Sequence, residues 1–195
     1  MLSNVTEKTT SPRIAFLERE QVSPEIAAIY DALLKQRGVV PNMFKTLAHT
    51  PALALGIAGF LKSLLSDGAL PGWYKELVAT RLSVLLSSHY AVSAHALSAR
   101  QKGATEAQIA AAQADFESGP FTDAEKLGFH CAERLHHSAE DVDDDFFAQL
   151  KSAFSDPQIV ELVATASAFE LFPRLVDGLR IPITPIPATI AGKKD

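Results

Sequence analysis

Apolar residues recur at helical spacing between clear breakers along most of the chain. Ser23-Pro24-Glu25 reads as a helix start, a capping hydroxyl followed by proline at the first helical position. Ile26, Ile29, Tyr30, Leu33 and Leu34 carry the stripe to Gly38, which stops it. Pro41-Asn42 opens a short helical piece through Met43, Phe44 and Leu47. Pro51 opens another, with Leu53, Leu55, Ile57, Phe60, Leu64 and Leu65, before Gly68 and Pro71-Gly72 punctuate the chain. Two helices are predicted next, Pro71 to Leu86 and then from Ser87 or Ser88 to Gly103. Thr105 with Gln108 and Thr122 with Glu125 are capping boxes for the two that follow. The acidic run Asp141–Asp145 precedes a further helix, where negative charge suits the positive helix end. Ser155-Asp156-Pro157 starts a last long one through Leu171, which Pro173 ends or kinks.

No stretch alternates with period two between hairpin turns, so the pattern predicts an all-α domain of about eight helices. Residues 1–13 are polar and read as a loose arm, residues 14–187 as a single domain, and residues 188–195 as a tail. Ile14 to Leu17 is an apolar strip suited to docking on the body. The proline-bearing segment from Ile181 onward reads as an extended strip.

At 195 residues the chain can bury a substantial core without staples. Its net charge of −5, with 18 scattered Lys and Arg, leaves no basic footprint for nucleic acid. No apolar run is long enough to cross a membrane, and the first residues lack the apolar stretch of a secretory signal. The expectation is a cytoplasmic protein.

The chemistry concentrates between Lys75 and Gly103. Glu76 lies in the first turn of its helix, where it can serve the helix dipole or act as a partly buried acid or base. Ser88 and His95 are seven residues apart, so they share one helix face with Ala91 between them. Two turns separate them by about 10 Å, too far for direct activation of a serine nucleophile. Ser88 can cap its helix or donate a hydrogen bond to substrate. His95, between Ala94 and Ala96, can be structural or can face a pocket, and Tyr90 can pack there or lend its hydroxyl.

A second cluster holds His130, His136 and His137 with Glu133 and Glu140. No two of those histidines stand four residues apart, so a solvated mixed-charge face is preferred over a metal site. The single cysteine, Cys131, has no activator in the sequence and reads as a buried structural residue.

At these residues the chain resembles the alkylhydroperoxidase-D-like and carboxymuconolactone decarboxylase-like superfamily. That family's motif is a glutamate, a Cys-x-x-Cys twelve residues later, and a histidine four residues beyond. Glu76 and His95 match the glutamate and the histidine, and Tyr90 falls just before the second cysteine position. The two cysteine positions hold Ser88 and Ala91. ALSARQKGATEAQIAAA, FELFPRLVDGLRIP and VPNMFKTLAHTPAL resemble further segments of the longer members, so the likeness spans residues 23–187. The resemblance implies a homo-oligomer, trimer or hexamer, of this helical unit. It also implies an enzyme, but the peroxidase branch works through a thiol pair that this chain lacks. The expectation is therefore decarboxylase-like, thiol-free acid–base chemistry on a small organic acid or lactone, with neither metal nor cofactor. Glu76 and His95 are the candidate catalytic pair, and Ser88 and Tyr90 the candidate substrate contacts. A peroxidase-type oxidoreductase and a non-catalytic scaffold are the alternatives.

Overall fold

The computed structural model describes residues 11–185. Among them are nine α-helices and no strand. They are α1 (Pro24–Arg37), α2 (Asn42–Leu47), α3 (Pro51–Leu65), α4 (Gly72–Leu85), α5 (His89–Gln101), α6 (Glu106–Gln113), α7 (Asp123–His137), α8 (Asp144–Ala153) and α9 (Asp156–Gly178). None is long and apolar enough to cross a membrane. Most of the proposed 1–13 arm and all of the 188–195 tail lie outside the described residues.

The caps follow the sequence. Ser23 accepts from the amide of Ile26. Both expected capping boxes form, at Thr105 and Gln108 and at Thr122 and Glu125. A third sits at Ser155 and Gln158, and Asp143 of the acidic run caps α8. Of the two outcomes expected at Pro173, an end or a kink, the first does not occur: α9 runs on to Gly178. Phe169, Phe172 and Val176 are all buried along this part of the helix. Their burial offsets the backbone hydrogen bond that proline removes.

Helix α4 is the centre of the molecule. It packs against α5, α6, α7 and α9. Leu77, Val78, Ala79 and Leu82 are buried, and so are the polar Lys75, Glu76, Thr80 and Ser83. A helix enclosed on all sides has no solvent face on which to place its polar residues. Each therefore needs a partner. Thr80 and Ser83 bond back to the carbonyls of Glu76 and Ala79. Lys75 reaches Glu161 of α9 at 2.8 Å, and the same carboxylate accepts the amides of Ala69 and Leu70. That set anchors the loop entering α4.

A tight turn separates α4 from α5. Ser87 sits in the left-handed region at φ 55°, and the amide of Ser88 bonds to the carbonyl of Ser83 at 2.9 Å. This is a glycine-type helix ending carried by a serine, at a modest cost in backbone strain. It folds α5 back along α4, so that residues early in α4 face residues late in α5.

At the edges, Leu17 joins the body through its amide to the carbonyl of Lys45, and its own carbonyl accepts from Tyr30. The segment Ile181–Pro185 is non-helical, with Ile181 buried. Asn42 holds it by donating to the carbonyl of Pro182 and to Oγ1 of Thr184.

Candidate active site

The polar residues buried in α4 include one that faces the fold-back of α5. Glu76 is fully buried. Nδ1 of His95 lies 2.7 Å from its Oε2, and Nζ of Lys102 donates to its Oε1 at 2.6 Å. Lys102 also donates to the carbonyl of Leu65, at the end of α3. Both carboxylate oxygens are thus engaged, each by a different turn of the α5 region.

His95 and Lys102 are seven residues apart and share a face, as do Ser88 and His95. The stripe Ser88, His95, Lys102 therefore runs the length of α5. Sequence reasoning stopped at His95 and missed Lys102. Extending the same spacing by one step would have found it.

Lys102 reaches Glu76 past Gly72. A Cβ on Gly72 would lie 2.8 Å from the Leu65 carbonyl, 3.2 Å from the Asp67 carboxylate and 3.3 Å from Cδ of Lys102. The amide of Gly72 is itself held by Asp67 at 2.7 Å. A side chain here would press on the loop and on the lysine stem together.

The electrostatics follow from these contacts. Burial alone pushes the Glu76 carboxyl up. The hydrogen bond from His95 and the charges of His95, Lys102 and Arg37 oppose it, and together they bring the group down to about 2. Glu76 is therefore a carboxylate at neutral pH. The His95 ring meets Phe169 edge-on, with centroids 4.4 Å apart, so its orientation is fixed by packing as well as by Glu76.

His95 and Lys102 line a cavity of about 580 Å³. Its other walls include Leu33, Phe44, Leu61, Phe169 and Phe172. This is an ordinary size for a small-molecule site. Tyr90 lines it too, while its hydroxyl accepts from the amide of Met43 at 3.1 Å and lies 3.4 Å from Oγ1 of Thr184. Burial pushes the Tyr90 phenol up, so it stays protonated. Ser88 is placed differently from the other candidates. It is fully buried at the start of α5, it is not part of the cavity wall, and its hydroxyl has no hydrogen-bond partner among the described residues.

The second histidine cluster does not converge. His130 pairs with Glu117, His136 with Glu170, and His137 with Asp141. Glu133 pairs with Arg81. Cys131 is buried, and burial pushes its thiol up to about 11.

The comparisons with known proteins bear on this arrangement. Residues 51–134, which contain Glu76, His95 and Lys102, match the carboxymuconolactone decarboxylase family. No curated protein matches the chain. Among solved structures, a peroxidase-related protein from Ralstonia eutropha JMP134 with the alkylhydroperoxidase AhpD core superposes with a TM-score of 0.82. It is 19% identical, over 89% of this chain and 92% of its own. A peroxidase-related protein from Silicibacter sp. TM1040 gives a TM-score of 0.81 at 16% identity, over 96% of this chain and 98% of its own. The debrominase Bmp8 gives 0.78 at 20% identity, over 91% of this chain and 95% of its own, and one of its variants was solved with 2,3,4-tribromopyrrole bound. At these identities the structures share the fold. The fold is therefore alkylhydroperoxidase-D-like, and residues 51–134, which span the central helical pair, are similar to the carboxymuconolactone decarboxylase family.

Proposed function

We propose that the protein is a carboxymuconolactone decarboxylase-like enzyme doing thiol-free acid–base chemistry, of the decarboxylase, lyase or isomerase type, on a small organic acid or lactone. The observation that carries this reading is the Lys102–Glu76–His95 array at the wall of an apolar cavity. With Nδ1 committed to Glu76, His95 has Nε2 left for a substrate proton. Glu76 fixes the ring and matches the charge that appears when the imidazole takes that proton. A carboxyl held near 2 does not itself deliver protons at neutral pH, so His95 is the proton carrier and Glu76 its positioning partner. Lys102 spends two of its three N–H donors on Glu76 and Leu65. The third, with its charge, can stabilise an enolate developing in the cavity. Tyr90 contributes to the wall that holds the substrate. In this reading the chemistry is proton transfer and requires neither metal nor organic cofactor.

The peroxidase alternative has less support. It needs a reactive thiolate, and Cys131 is buried with its thiol pushed up. A homo-oligomer remains part of the proposal, supported by the exposed apolar Leu53, Leu55 and Phe60 on α3. Sedimentation of the purified chain tests that part.

The test of function is turnover of a panel of small lactones and unsaturated or β-keto acids by the native protein, His95→Ala and Glu76→Gln. Each substitution is expected to lower the rate by about 100-fold or more. Unaltered turnover of a confirmed substrate by either variant would reject these roles.

A further inference from the structure

Four charged side chains line the large cavity besides His95, and three are accounted for. Lys102 is held by Glu76 and Leu65. Asp67 is held by the amide of Gly72. Lys62 is exposed on the last turn of α3 and is free to extend into water. The fourth, Arg37, is half-buried at the last position of α1. It forms no hydrogen bond or ion pair with another described residue. The remaining wall is largely apolar, with Leu33, Phe44, Leu61 and Phe172 among its members.

Arg37 also borders a second, smaller hollow, which shares Pro41, Tyr90 and Ala94 with the large one. Arg37 therefore borders both spaces, as Tyr90 does, while His95 borders only the larger. A partly desolvated guanidinium against apolar walls is costly when no anion meets it. Several other half-buried or buried cations of this chain do have carboxylate partners, as with Lys75 and Glu161 or Arg81 and Glu133. The planar fork of arginine suits a carboxylate, which it can bind through two parallel hydrogen bonds.

We propose that Arg37 is the anion receptor of the cavity and that the natural substrate is an apolar, ring-bearing carboxylate whose acid group it grips while the ring lies among Phe44, Phe169 and Phe172 near His95. This rests on the cavity being the substrate site and narrows the substrate class proposed above. It makes Arg37 a specificity-determining residue rather than a proton carrier.

The experiment is calorimetric titration at neutral pH with 1-naphthoate and its neutral counterpart 1-naphthamide. The native protein is expected to bind naphthoate at least tenfold more tightly than naphthamide. In Arg37→Gln, naphthoate affinity falls about 10- to 100-fold while naphthamide affinity stays, which also shows that the cavity is intact. Arg37→Lys recovers part of the loss, and Lys62→Gln changes neither ligand. The proposal is overturned if native protein fails to prefer naphthoate, if Arg37→Gln weakens both ligands equally, or if Lys62→Gln is the variant that abolishes the preference. The measurement needs no turnover. A failure here leaves the His95 reading standing, and a His95→Ala variant that still prefers naphthoate separates the two.

Discussion

Nζ of Lys102 lies 2.6 Å from Oε1 of Glu76, although the two residues stand at opposite ends of a helical hairpin in the sequence. The antiparallel return of α5 along α4 brings the positive end of one helix beside the negative end of the other. Lys102, the C-cap of α5, complements the negative end of that helix, whereas Glu76 lies past the first turn of α4, which holds no acidic residue, so its first-turn placement expected from the sequence is not met. The pair thus neutralises a buried carboxylate and closes the hairpin. The proposed functional geometry and the stability of the fold share these atoms.

That coupling sets an acid limit on stability. Glu76 is held down at about 2 in the folded protein, against an ordinary value of 4.5. A depressed carboxylate contributes stability above its unfolded value, and that contribution is lost as pH falls through the window from about 4.5 toward 2. The size is on the order of 3 kcal/mol. Glu161 and several surface carboxylates are also lowered and add to the slope. Urea unfolding between pH 7 and 3 is expected to show native protein losing more stability than Glu76→Gln. Parallel curves would refute the assignment.

Ser88 allows a sharper test. Its hydroxyl is buried and unpartnered, and as the residue before α5 it makes no capping bond. Removing an unsatisfied buried hydroxyl relieves a desolvation cost. Ser88→Ala is expected to leave stability unchanged or raise it by up to about 1 kcal/mol, with little change in KM. A marked rise in KM in the same variant would return Ser88 to the substrate contacts.

Gly72 is expected to be intolerant. An added methyl meets the backbone carbonyl of Leu65, which cannot swing away as a side-chain tip could, and crowds the Lys102 stem. Gly72→Ala should cost about 1–3 kcal/mol, seen as a lowered urea midpoint. Moderate denaturant would then impair its turnover before that of the native protein.

Cys131 should be silent in the folded state. Its burial and raised thiol predict no labelling by a thiol reagent at neutral pH until the chain unfolds, and no loss of the thiol under peroxide. Rapid labelling of native protein, coupled to peroxide consumption, would revive the oxidoreductase alternative.

The sequence by itself determined the helices, because caps and apolar spacing act over a few residues. Ser23, Thr105 and Thr122 satisfy amides within their own first turns, and the break at Ser87–Ser88 is a local backbone event. It also singled out Glu76 and His95, through spacing and through a resemblance resting on those two positions. Tertiary structure alone decided what each group touches. Pro173 lies inside α9 because burial of its neighbours outweighs one lost hydrogen bond. Lys102 joins Glu76, and Arg37 comes to the cavity wall, because helices distant in sequence pack side by side. Ser88, on the same stripe as His95, ends up beneath the wall rather than in it. A helix stripe fixes which residues share a face, but only the packing of neighbouring helices determines which part of that face meets the cavity and which part is sealed.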